Sequence, residues 1–117
     1  MEHKELDNYL HNDQEKFKEL INTLSETELI AYLNYLPLNR EFVLSSINKE
    51  NITENVIKNE VNKNPVCFHR FKGIAMSDEF VNYVFEKLKK SASMMNSPYK
   101  ESYKKSIDLC KSLLEKK

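Results

Sequence analysis

A chain with one glycine in 117 residues has almost nowhere to place a positive φ without strain. Two-residue β-hairpins of the Asn-Gly or Asp-Gly kind are therefore closed to it, and sheet-rich folds are disfavoured. Hydrophobic residues make up 40% and charged residues 31% of the chain, with three prolines, which excludes disordered, collagen-like and low-complexity classes. The expectation is an all-α protein, one domain over residues 1–117, with six or seven short helices arranged as stacked helical hairpins or as an irregular bundle. That length suffices to bury a core without disulfide or metal.

A recurring pattern subdivides the helical length. An Asn, Thr or Ser is followed three and four positions later by two apolar residues: Asn39 by Phe42 and Val43, Thr53 by Val56 and Ile57, Asn64 by Cys67 and Phe68, Ser77 by Phe80 and Val81, and more loosely Thr27 by Ile30 and Ala31. The side-chain oxygen of such a residue accepts a hydrogen bond from a free N–H of the first helical turn, and the apolar pair falls on one face. The spacing predicts helices over residues 40–49, 54–62, 65–72 and 78–91. Pro65 suits a first helical position, where its missing N–H is not needed. Gly73 suits the left-handed residue that closes that helix.

Upstream, Leu6, Tyr9, Leu10, Phe17, Leu20, Ile21 and Leu24 predict one amphipathic helix over residues 3–23. Ser25 and Glu28 form a capping box that starts the next helix, carrying Leu29, Ile30, Tyr32, Leu33 and Leu36 until Pro37 stops it. Downstream, residues 91–97 read as a polar linker in which Met94 and Met95 fill irregular core space or, as the lesser alternative, lie on a surface groove. Ser97 and Pro98 open a last helix to residue 115, with the stripe Tyr99, Tyr103, Ile107, Cys110, Leu113 and Leu114. The chain thus divides into N-terminal helices (1–37), short repeated helices (38–91) and a C-terminal helix (98–115). Phe42, Val56, Phe68, Phe80, Phe85 and Ile107 are the expected core, and Cys67 and Cys110 are expected as small buried thiols.

Aligning Thr53, Val56 and Ile57 with Ser77, Phe80 and Val81 gives a unit of about 24 residues, two helices long. With Lys63, Asn64 and Pro65 ending one helix and Met76, Ser77, Asp78 and Glu79 starting another, residues 53–85 resemble the short helical-hairpin repeats of uncharacterised bacterial and large-virus proteins. Extended from these residues over the short repeated helices (38–91), the resemblance spans about half the chain and implies stacked hairpins, with the flanking helices as polar-faced ends. It carries no catalytic residues to transfer.

Formal net charge is zero, yet residues 1–60 hold twelve acidic and six basic side chains and residues 61–117 the reverse. The halves either neutralise one another or present opposite surfaces that steer charged partners. On the acidic side, Glu5, Asp13, Glu15 and Glu19 are the candidate partner-binding face. On the basic side, Lys87, Lys89 and Lys90, joined by Lys100, Lys104 and Lys111 along the last helix, are candidates for contacting an acidic partner or nucleic-acid phosphates. Only two of the eighteen basic residues are Arg. Bidentate reading of guanine is therefore scarce, and any nucleic-acid binding is expected to be non-specific.

The sequence holds no helical His pair for a metal, no Gly-flanked Ser turn, no Walker loop and no dinucleotide fingerprint. No catalytic residue, cofactor or metal site is expected. His3 and His11 are expected in solvent, while His69 joins Arg70 and Lys72 as a small basic group or lies on plain surface. The N-terminal residues lack the apolar core of a signal peptide and no apolar run is long enough to span a bilayer, so a cytoplasmic protein is expected. The Lys-rich, Arg-poor composition associates with AT-rich genomes. The functional expectation is a non-enzymatic protein–protein interaction protein, a phage- or mobile-element-encoded inhibitor or adaptor that binds a host protein in the anti-defence or anti-CRISPR manner. The alternative is a non-specific nucleic-acid-binding accessory protein.

Overall fold

The computed structural model describes residues 2–35, 40–91 and 98–115. Among them the chain is all helical: α1 (His3–Asn12), α2 (Gln14–Ile21), α3 (Glu26–Tyr35), α4 (Arg40–Ser46), α5 (Glu54–Lys63), α6 (Asp78–Lys90) and α7 (Lys100–Glu115), with 3-10 segments at Lys49–Asn51 and Pro65–Phe71. The contacts divide into two units, Met1–Val56 and Ile57–Lys117.

The helix starts follow the caps. Ser25 N donates to Glu28 Oε1 at 3.1 Å while Glu28 N donates to Ser25 Oγ at 3.2 Å, which is the reciprocal capping box. Val56 N donates to Thr53 Oγ1 at 3.4 Å, Val66 N to Asn64 Oδ1 at 3.3 Å and Phe80 N to Ser77 Oγ at 3.2 Å. Gly73 takes φ 89°, a conformation that costs a residue with a Cβ. Thr27 lies inside α3 and starts nothing. The expectations for Asn39, Leu36, Pro37, Met94, Met95 and Ser97 fall outside the described residues.

In the first unit, the single helix expected over residues 3–23 is two. Asp13 leaves the helical region at φ −152°, ψ 83°, and its carboxylate accepts from Lys16 N at 3.2 Å. Asp is a better N-cap than interior residue. The apolar stripe did not reveal the break because Leu6 and Leu10 of α1 and Phe17 and Ile21 of α2 are all buried. Leu29, Tyr32, Leu33, Val43, Leu44, Ile47 and Ile52 are buried as well. Phe42 is not core. It is 37% exposed, although its ring stays 6.5 Å from that of Phe17, because Val43, Leu44 and Ile47 take the buried positions of that segment. His3 is half-buried rather than solvated, with its ring 5.7 Å from Tyr32 and 5.1 Å from Tyr35.

In the second unit, α7 is the element on which both α6 and the 3-10 helix pack, rather than a polar-faced end. It buries Tyr103, Ser106 and Cys110. Tyr103 Oη donates to the Leu88 carbonyl at 3.0 Å, satisfying an acceptor of α6's last turns. Ser106 is fully buried, donating to the Val66 carbonyl at 2.8 Å and accepting from His69 N at 3.0 Å. That second bond accounts for a 3-10 helix where the spacing predicts an α-helix. The His69 N–H that would bond the Pro65 carbonyl in an α-helix is directed to Ser106 instead. Val66, Phe68 and Phe71 of this helix and Phe80, Val81, Val84 and Leu88 of α6 are buried. Phe85, Ile107 and Cys67 are only half-buried, and Tyr99 is 49% exposed, so none of these four is deep core. Burial pushes the Cys110 thiol up to about 12.

Candidate functional site

The boundary after Val56 also separates charge. The first unit has eleven acidic and five basic side chains, net −6, and the second seven and thirteen, net +6.

Glu5, Asp13, Glu15 and Glu19 are all exposed. Glu15 and Glu19, four residues apart on α2, share the side away from Phe17 and Ile21. Lys16 Nζ lies 4.0 Å from Glu19, which tempers that side. Glu5 belongs to α1, and the break at Asp13 removes it from their helical repeat. Asp13 holds its carboxylate on the start of α2. An acidic residue that the sequence reading missed is Glu26, which accepts from the Thr53 hydroxyl and from Asn55 Nδ2 at 3.1 Å. Those two donors hold its carboxyl below the ordinary carboxylate value, the Thr53 bond contributing most.

Lys100, Lys104 and Lys111 are exposed on α7 and, at 100° per residue, fall within an arc of about 40°, so they form one stripe. The α6 lysines are more engaged. Lys89 Nζ lies 3.2 Å from Glu86 Oε1 and 4.4 Å from the centre of the Phe85 ring. Lys87 Nζ lies 5.7 Å from the Tyr83 ring centre. Lys87 and Lys90 border an open hollow of about 470 Å³ with Glu79, Asn82, Tyr83 and Glu86. Two aromatic residues accompany these lysines. Tyr83, 36% exposed, donates its hydroxyl to Asn62 Oδ1 at 2.7 Å and has Lys58 Nζ 5.0 Å from its ring. Tyr99 is exposed at the head of α7, next to Lys100. Lys58 comes from α5, and no spacing in the sequence links it to Tyr83.

Among the described residues no group of three or more His, Cys, Asp or Glu is placed to hold a metal ion, and no helix is long and apolar enough to cross a membrane. The chain matches no protein-family model, no curated protein and no solved structure.

Proposed function

We propose that the protein acts without catalysis, by binding a partner protein of basic surface through the acidic side of its first unit, as an inhibitor or adaptor. The observation that supports this is the coincidence of charge with structure: a net charge of −6 is confined to one contact unit, and Glu5, Glu15 and Glu19 are exposed on it. Concentrated charge of one sign raises association rates and discriminates between partners. The Lys-rich, Arg-poor composition supports a phage or mobile element as the setting and a host defence protein as the target.

A tagged pull-down from host lysate, with and without nuclease, tests the reading. One dominant protein is expected in both arms, and lost when Glu15 and Glu19 are both reversed to Lys in a variant with an unchanged melting curve. Retention of the partner by that variant removes this face from consideration.

A second reading is favoured by one finding. Tyr99, in register with the core stripe, is exposed at the head of α7 next to Lys100, and an exposed aromatic ring next to a lysine suits stacking on single-stranded nucleic acid. Its signature is affinity for random oligonucleotides that falls steeply with salt and weakens on Tyr99→Ala.

A further inference from the structure

A cavity of about 440 Å³ lies between the 3-10 helix and α7, within the second unit, lined by His69, Lys72, Lys105, Asp108, Leu109 and Ser112. The α7 contributors stand at steps of three, four and seven residues, so they form one stripe, about 100° around the helix from Lys100, Lys104 and Lys111. The opposite wall is anchored. Ser106, fully buried, accepts from His69 N at 3.0 Å and donates to the Val66 carbonyl at 2.8 Å, fixing the backbone that carries His69. Gly73 at φ 89° and the bond from Ile74 N to the Phe71 carbonyl at 3.3 Å fix the turn that carries Lys72. The volume is that of a small-molecule site.

The lining is chemically mixed in a way that selects. Lys72 and Lys105 supply two ammonium groups, and the Ser112 hydroxyl and the His69 ring can donate beside them, a donor set matched to the acceptor oxygens of a phosphate group. Asp108 stands among them as an acceptor. It disfavours a bare anion and favours a ligand that also offers hydroxyl donors, while Leu109 gives an apolar wall. We propose that this cavity binds a small phosphorylated molecule that carries hydroxyl groups, of sugar-phosphate or mononucleotide size. A nucleic-acid strand presents the same phosphate chemistry but would follow the exposed stripe of Lys100, Lys104 and Lys111 rather than enter the cavity. The inference is independent of the partner-binding reading, which concerns the other unit.

The test is an NMR titration of the full chain with ribose 5-phosphate, with inorganic phosphate and a single-stranded oligonucleotide as parallel probes. Saturable shifts are expected at residues 69–72 and 105–112, with tighter binding of ribose 5-phosphate than of phosphate. Lys72→Gln and Lys105→Gln should each weaken binding about tenfold, as loss of a charge-assisted contact does. Asp108→Asn should narrow the preference for the sugar phosphate. Lys104→Gln, on the other stripe, should leave affinity unchanged. All four side chains are exposed, so the variants should keep the wild-type spectrum elsewhere. The proposal is overturned if ribose 5-phosphate gives no saturable shift at millimolar concentration, if it binds no better than phosphate, or if Lys104→Gln weakens binding as much as Lys105→Gln. Oligonucleotide shifts centred on Lys100, Lys104 and Lys111 in the absence of any response to ribose 5-phosphate also overturn it.

Discussion

Asn22 uses its whole side-chain amide to hold the first unit together. Nδ2 donates to the Lys18 carbonyl at 2.8 Å and the Ser46 carbonyl at 3.0 Å, while Oδ1 accepts from Asn48 N at 2.8 Å and Asn51 Nδ2 at 3.0 Å. Three of these partners lie more than twenty residues downstream, so no local pattern marks the residue. Its backbone is helical at φ −82°, ψ −1°, and Asn22→Ala is therefore a clean deletion, expected to cost about 1–3 kcal/mol in urea unfolding through polar groups left without partners. Tyr32 is the opposite case. It is fully buried, its hydroxyl has no hydrogen-bond partner among the described residues, and burial, aided by Asp7 and Tyr35, raises its phenol above the ordinary range. Tyr32→Phe should leave stability unchanged or raise it by about 1–2 kcal/mol; a loss of that size would show that the hydroxyl is satisfied. Phe42 and Phe68 both belong to the cap-and-apolar pattern, Phe42 three residues and Phe68 four residues after its cap, and Phe68 is fully buried while Phe42 is 37% exposed. Phe68→Ala should cost about 3–5 kcal/mol and Phe42→Ala distinctly less by the same measurement.

At the scale of the element, what was legible was whatever a helix decides within its own first turn. The Ser25–Glu28 box and the Thr53, Asn64 and Ser77 caps are bonds between residues two or three apart, so spacing alone predicts them. The Ser25 backbone N–H, and then its hydroxyl, hold the Glu28 carboxyl below its ordinary value of 4.5. A carboxylate whose folded pKa is depressed stabilises fully above its unfolded value and loses that contribution as pH falls through the folded one. The stability gap between wild type and Glu28→Ala should be constant above pH 4.5 and close as the solution is acidified further. A gap that widens in acid would contradict the capping role. Two features were misread at this scale: the break at Asp13, where both flanking helices keep the same apolar rhythm, and the 3-10 helix at Pro65–Phe71, whose form depends on Ser106, 37 residues beyond His69.

For the whole molecule, zero net charge conceals two units of −6 and +6. At neutral pH and low salt the protein should be retained by both anion and cation exchangers and released from each by moderate salt, because the Debye length shrinks to about 10 Å at 0.1 M. Passage through both resins would show that the charges are neutralised within the fold. The sequence determined that the chain is helical, where most helices begin, where Gly73 must turn, and how charge is distributed along the chain. These are local matters of backbone freedom, capping and side-chain type. Only the tertiary structure decided which aromatic residues are buried and that α7 is the packing centre of its unit. It also decided that Lys58 meets Tyr83, and that Lys72 and Lys105, far apart in the chain, border one cavity. Burial and convergence depend on what arrives from distant segments, and that information is in no single turn of helix.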